Sequence, residues 1–227
     1  MSAHADYHDP PLLAPEPGFT ITGAAHIAFA AVPTMLFAAS ASNQSGHRIQ
    51  SIALTVQVMI DPAKRGYDPD TRARLAELFG PPARWAPATS GLAWARVSAA
   101  VPGFTGAMPF GIEVPCTYDL EVAAAKYFYA VRDGEIPLSF HFNGNVFFYD
   151  TDGRLQVVPV PWSCTAQYRF PVTVWRAMMA EHYPGGGWIR LDGQTLDKLN
   201  DRRGQHGLPS FDVCIAELLE IAAENDG

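Results

Sequence analysis

The side chains of this 227-residue chain that could do chemistry are few and scattered. Cys116, in EVPCTYD, would act as a nucleophile with His141, in FHFNG, as its base. Such a pair needs hydrogen-bond contact and an activated thiolate. A buried free cysteine is otherwise inert packing, and Cys116 is read that way. Asp119 joins Cys116 and His141 in the alternative reading, an enzyme or small-ligand binder. Asp119, Glu121 and Glu135 do not form the spaced carboxylate pair of a glycosidase. His4 and His8 stand four apart near Asp6 and Asp9, a metal-like spacing only on a helix, and the prolines around them oppose one. Gly185–Gly187 follows a helical pattern and lacks the Lys-Ser/Thr of a phosphate loop. Neither GxSxG nor HExxH occurs. The expectation is a non-enzymatic protein with no catalytic residue, no metal ligand and no cofactor.

Aromatic density is the stronger signal. Tyr127, Phe128, Tyr129, Phe140, Phe142, Phe147, Phe148, Tyr149 and Trp162 crowd one short span. Alternation predicts a continuous strand with Leu138, Phe140, Phe142, Gly144, Val146 and Phe148 on one face. Ser139, His141, Asn143, Asn145, Phe147 and Tyr149 take the other. Asn143-Gly144 is also a hairpin signal, but the continuous strand separates apolar from polar better, so Gly144 is read as a bulge or close-approach point. The turn then falls at Asp150–Gly153, and RLQVVPVPW returns as a strand whose Pro159 and Pro161 place it at an edge or end its pairing. Aromatics on both faces require cover from helices, a subunit or a ligand. Phe147, Tyr149, His141, Tyr127 and Tyr129 are the predicted partner-binding residues.

The elements that must position them follow from period and punctuation. Residues 1–18, rich in proline, read as a disordered leader. SIALTVQVMI (51–60) alternates as a half-buried strand, with TMLFAASA as its hairpin partner across NQSGH. Asp68 as cap, Pro69 in the first turn and Gly80 at the end predict a helix over 69–79. GLAWARVSAAVP reads as a strand. YDLEVAAAKYFYAV fits either period, and its aromatic end and short RDGEIP link favour a strand. Three helices follow. One starts near Pro171, and one is capped by Asp192 with Leu196 and Leu199 inward. The last, from Ser210, has Phe211, Cys214, Ile215, Leu218, Leu219 and Ala222 on one face. The fold class is α+β, an antiparallel sheet core with C-terminal helices packed on one face. Residues 19–227 read as one domain, mainly β over 19–170 and mainly helical over 171–227.

Composition sets the outer bounds. Hydrophobic residues make up 48% of the chain, enough for a core, and charged residues 17%. A net charge of −7 argues against nucleic acid and against an anionic membrane. The apolar stretch AAHIAFAAVPTMLFAASA is broken by His26 and Pro33 and is too mixed to span a bilayer, and no basic start marks a signal peptide. Three widely spaced cysteines without a CxxC pair point to a reduced, cytoplasmic protein.

Two resemblances add to this. YDPDTRARLAELFGPPARW, VPCTYDLEVAAAKYF, GEIPLSFHFNGNVFFY, GRLQVVPVPW and RFPVTVWRAMM resemble a bacterial protein family without an established activity. Its genes lie near those of nickel–iron hydrogenases in some bacteria, which implies an accessory role. Residues 118–199 are similar in order and spacing to the SecB type of export chaperone. YDLEVAAAKYFYAV and PLSFHFNGNVFFY resemble its paired strands, RFPVTVWRAMMAEHYP its Phe-Pro helix start, and IRLDGQTLDKL its next strand and final-helix entry. Gly193 stands where that family has proline, the N-terminal half is longer, and a helix is added at the C-terminus. The likeness implies a chaperone-like protein that binds apolar segments of a partner or unfolded polypeptide, a homo-oligomer being compatible. The rivals are the Cys116–Asp119–His141 site and a structural subunit of a larger complex.

Overall fold

The structure is a computed structural model and describes residues 14–81, 85, 91–116, 122–186 and 189–225. The chain divides into two compact units, 1–187 and 188–227, where the sequence reads as one domain.

The larger unit carries two antiparallel sheets. Strands β1 (Pro17–His26), β2 (Thr34–Asn43) and β5 (Ala107–Pro115) pair in the order β1-β2-β5. Strands β3 (Ile49–Ile60), β4 (Leu92–Val101), β6 (Glu135–Tyr149) and β7 (Leu155–Pro159) pair as β4-β3-β6-β7, and β8 (Thr165–Pro171) also pairs β6. The inner faces meet through aromatic rings. Phe19 stacks on Phe142 at 4.4 Å, and Phe37 meets Phe140 edge-on at 5.0 Å. β5 lies beside β4 and β1 beside β8, which closes the two sides. Each buried phenylalanine contributes about 1.5–3 kcal/mol relative to exposure.

Period two dictates the inner face. Ile52, Leu54, Val56, Val58 and Ile60 of β3 are buried, as are Leu138, Phe140, Phe142, Val146 and Phe148 of β6. β6 is continuous through Gly144, which pairs Leu54 at φ 153°. A Cβ there would stand 1.9 Å from the Ala53 carbonyl oxygen, so the position is a close approach that only glycine allows.

The expected β2–β3 hairpin does not form: the two strands lie in different sheets. Asn43 explains the departure. Its side chain donates to the His47 carbonyl at 2.6 Å and accepts from Ser45 N–H at 3.1 Å, turning the chain from one layer to the other. β1 begins at Pro17, so the last two residues of the expected leader are strand; residues 1–13 lie outside the described residues.

Helix α1 (Pro69–Phe79) starts as the sequence predicts, with Asp68 accepting from Thr71 N–H at 2.8 Å. Helix α2 (Ala123–Ala130) corrects the strand expected over YDLEVAAAKYFYAV. Three consecutive alanines favour helix, and Ala124, Tyr127, Phe128 and Val131 then fall on one buried face. Helix α3 (Val172–His182) packs against β1, β2 and β8. Phe128 stacks on Trp175 at 5.4 Å and touches Trp94 and Phe170, joining α2 and α3 to the sheets. Glu181 ties the β1–β2 loop to α3, accepting from His26 Nε2 at 2.7 Å and from Phe29 N–H at 3.3 Å. Phe29 takes a left-handed backbone (φ 57°) and is 96% exposed.

The smaller unit is a helix pair, α4 (Gly193–Gln205) and α5 (Phe211–Asn225). Asp192 caps α4 by accepting from Thr195 N–H at 3.0 Å. Cys214 is buried, as expected for a packed face. Leu196, Leu219 and Ala222 are exposed instead of inward; α5 turns Cys214 and Glu217 toward α4, and Leu219 lies further round that helix.

Candidate partner-binding surface

The outer face of β6 changes character along its length. At the β8 end, Ser139 bonds Asp61 and Gln167, and His141 sits half-buried between Gln57 and Thr165. Asn143 and Asn145 follow, both exposed. Beyond them the face turns apolar. Phe147 pairs directly with Val157 and Tyr149 with Leu155, and the last three are each about half exposed. Cross-strand partners share a face, so these four side chains form one apolar patch rimmed by Asn145 and Ser51.

The turn before β7 fixes that patch. Asp150 accepts from Arg154 N–H at 2.8 Å and from Gln156 Nε2 at 2.7 Å, which holds its carboxyl below the usual range. β7 pairs only β6 among the described residues, so its outer edge is open. That edge is interrupted. Pro159 faces Asn145 and Thr165 faces His141, so six residues of the edge advance against four of β6 and two are extruded. Cys164 N–H closes the extruded turn on the Pro161 carbonyl at 3.0 Å, and Trp162 stands at its apex, 90% exposed.

The predicted partner residues therefore separate. Phe147, Tyr149 and His141 share the outer sheet face. Tyr127 does not belong to a surface: it is fully buried, its hydroxyl 2.7 Å from that of Tyr67, and burial pushes its pKa well up. The helical turn of α2 points it inward, where a strand would have put it beside Tyr129. Tyr129 is half exposed on α2, bordering a cavity between α2 and α3. Leu155 and Val157 were not among the predicted residues; their signal was the cross-strand register, which needs the Asp150–Gly153 turn. Arg176, in the α2–α3 cavity, left no motif in the sequence.

Cys116 follows β5, its N–H bonded to the Pro33 carbonyl at 2.7 Å. Burial pushes its thiol up to about 12, so it is held as the unreactive thiol. His141 lies in the other sheet. Asp119 and Glu121 fall outside the described residues, and Glu135 is exposed at the start of β6. Among the described residues, no group of three or more His, Cys, Asp or Glu is placed to hold a metal ion. No helix among them is long and apolar enough to cross a membrane.

A family model matches residues 14–227. The chain belongs to DUF6084, a family of unknown function. No curated protein matches it. Among solved structures, the DUF6084 chain is similar to the CARDB domain of a Pyrococcus furiosus protein in complex with di-metal ions. That match has 8% identity and a TM-score of 0.29, covering 75% of this chain and 98% of that one. It is also similar to a putative ApaA protein from Bordetella pertussis, with 9% identity and a TM-score of 0.26, over 70% and 96% of the two chains. A β-glucosidase from Kluyveromyces marxianus shares 5% identity at a TM-score of 0.25, over 69% of this chain and 15% of that one. Likeness at this level transfers no function.

Proposed function

We infer that this DUF6084 protein is a non-enzymatic, chaperone-like accessory that binds an apolar segment of a partner polypeptide at the β6–β7 edge. The observation that carries the reading is the Phe147–Val157 and Tyr149–Leu155 patch beside an open strand edge. An extended segment adding to β7 would satisfy the edge N–H and C=O groups and extend the apolar row by its alternate side chains. The SecB likeness rests on the Phe-Pro helix start and the helix entry at Asp192. It disagrees over Ala123–Ala130, a helix where a paired strand was expected, and at Ile189–Arg190, which is not strand. The hydrogenase neighbourhood of the resembling family makes a hydrogenase subunit the first partner to test.

The test is recovery of partners from the native host by the wild type and by a Val157→Lys variant, followed by binding of the purified partner to both. Val157 is on an exposed edge strand, so the variant should fold. A loss of about 1–3 kcal/mol in affinity supports the reading. Equal affinity defeats it, and a concentration-dependent dimer lost in the variant reassigns the edge to a second copy of the chain.

A further inference from the structure

The cavity between α2 and α3 lies apart from the sheet edge and is built differently. It holds about 230 Å³ and is walled by Tyr129, Trp175, Met179, Ala180 and Tyr183, with Arg176 as its one charged residue among the described residues. Trp175 is fixed by its stack on Phe128, so that wall is rigid. Arg176 is half-buried and forms no ion pair among the described residues. Its Nη2 makes one long bond, 3.4 Å to the Val131 carbonyl, and its Nε is buried without a partner. That buried Nε is closed to the cavity, so only the outer nitrogens of this half-buried, unpaired cation can meet an acceptor there. A carboxylate matches those outer nitrogens in charge and shape.

Size narrows the ligand. The space is smaller than the roughly 300 Å³ at which whole small-molecule sites begin, but it admits one apolar side chain. The rest of the ligand must lie outside. Tyr129 also borders a second cavity of about 330 Å³ between α1 and α2, lined by Leu75, Leu78, Arg74 and Lys126. Two cavities either side of one tyrosine suit a chain that continues from one to the other, and a compact acid would fill only the first.

We propose that the α2–α3 cavity captures the C-terminal residue of a polypeptide, its apolar side chain against Trp175 and Met179 and its free carboxylate on Arg176. The preceding residues cross Tyr129 toward the second cavity. This rests on the reading of the protein as a polypeptide binder and adds a contact distinct from the β7 edge.

A random hexapeptide library, made once with free carboxylate ends and once amidated, is panned against the full chain. The expected result is enrichment of Leu, Ile, Met or Phe at the last position from the free-acid library alone. In fluorescence anisotropy an enriched peptide should lose at least tenfold in affinity on amidation. Arg176→Gln should lose that discrimination, and Ala180→Trp, at an exposed position, should block binding by filling the cavity. Phe147→Ala should leave the peptide bound. No enrichment, equal enrichment of acids and amides, or acid preference surviving Arg176→Gln overturns the proposal. Displacement by hexanoate at the concentration of the peptide overturns it in favour of free acids. Loss of the peptide in Phe147→Ala, with Arg176→Gln unaffected, overturns it and leaves the edge-binding reading standing.

Discussion

The inner and outer faces of β6 differ more than their alternation announces. Inward, Phe140 and Phe142 meet rings from the opposite sheet along the strand, and the face is uniform. Outward, the face is polar from Ser139 to Asn145 and apolar after it. The change begins beyond Gly144, where a Cβ would meet the backbone of β3, and follows the hand-over from β8 to β7 as edge partner. A strand face is thus set by its neighbours as much as by its own period. Among the described residues, the apolar outer residues stand where the edge partner is a five-residue strand.

The sharpest break of this comparison is at the point that separates its halves. Gly144→Ala puts a methyl group into the Ala53 carbonyl, and at least about 4 kcal/mol of destabilisation, or failure to fold, is expected in urea unfolding. Tolerance of alanine would mean that the two strands do not approach as described. Next comes the face contrast itself. Phe140→Ala empties a fully buried site and should cost about 3–5 kcal/mol. Phe147→Ala should cost less than about 1.5 kcal/mol, because its ring is only partly covered, while weakening partner binding. Matching denaturation midpoints for the two would make both faces core.

The smallest effect is electrostatic. Hydrogen bonds from Thr71 hold Asp68 at about 2 instead of 3.8, and those from His26 and Phe29 hold Glu181 below 4.5. Both folded values are depressed, so their contribution is complete above the unfolded values and fades as pH falls through the folded ones. The urea midpoint should therefore be level above about pH 5 and drop between about pH 4.5 and 2. Asp68→Asn with Glu181→Gln should flatten that drop; an unchanged slope would show that other carboxylates govern it.

Local rules made much of this legible. The Asp68 and Asp192 caps, the course of β3 and β6, and the turn at Asp150–Gly153 all lie where period and punctuation put them. What failed was decided at long range. Tyr127 reads as a surface aromatic until α2 turns it toward Tyr67. TMLFAASA reads as the hairpin partner of β3 until Asn43 redirects the chain into a second sheet. Arg176 earns its interest only from neighbours on α2 and α3. The outer patch was half legible: Phe147 and Tyr149 could be assigned to a face, but their partners on β7 depend on a register that the turn alone defines.

The extruded Pro161–Cys164 turn has a bearing on assembly. A long open edge lets strands add without limit, the first step of a fibril. Here the outer edge stops at Pro159, which has no N–H to offer; Val160 still donates to the Gly144 carbonyl at 2.9 Å, and from Pro161 the backbone leaves the sheet before β8 resumes beside β1. Anything that zips onto β7 meets a terminator after about five residues, a length set by the strand itself. The edge is thereby matched to a short guest and is a poor seed for an endless one.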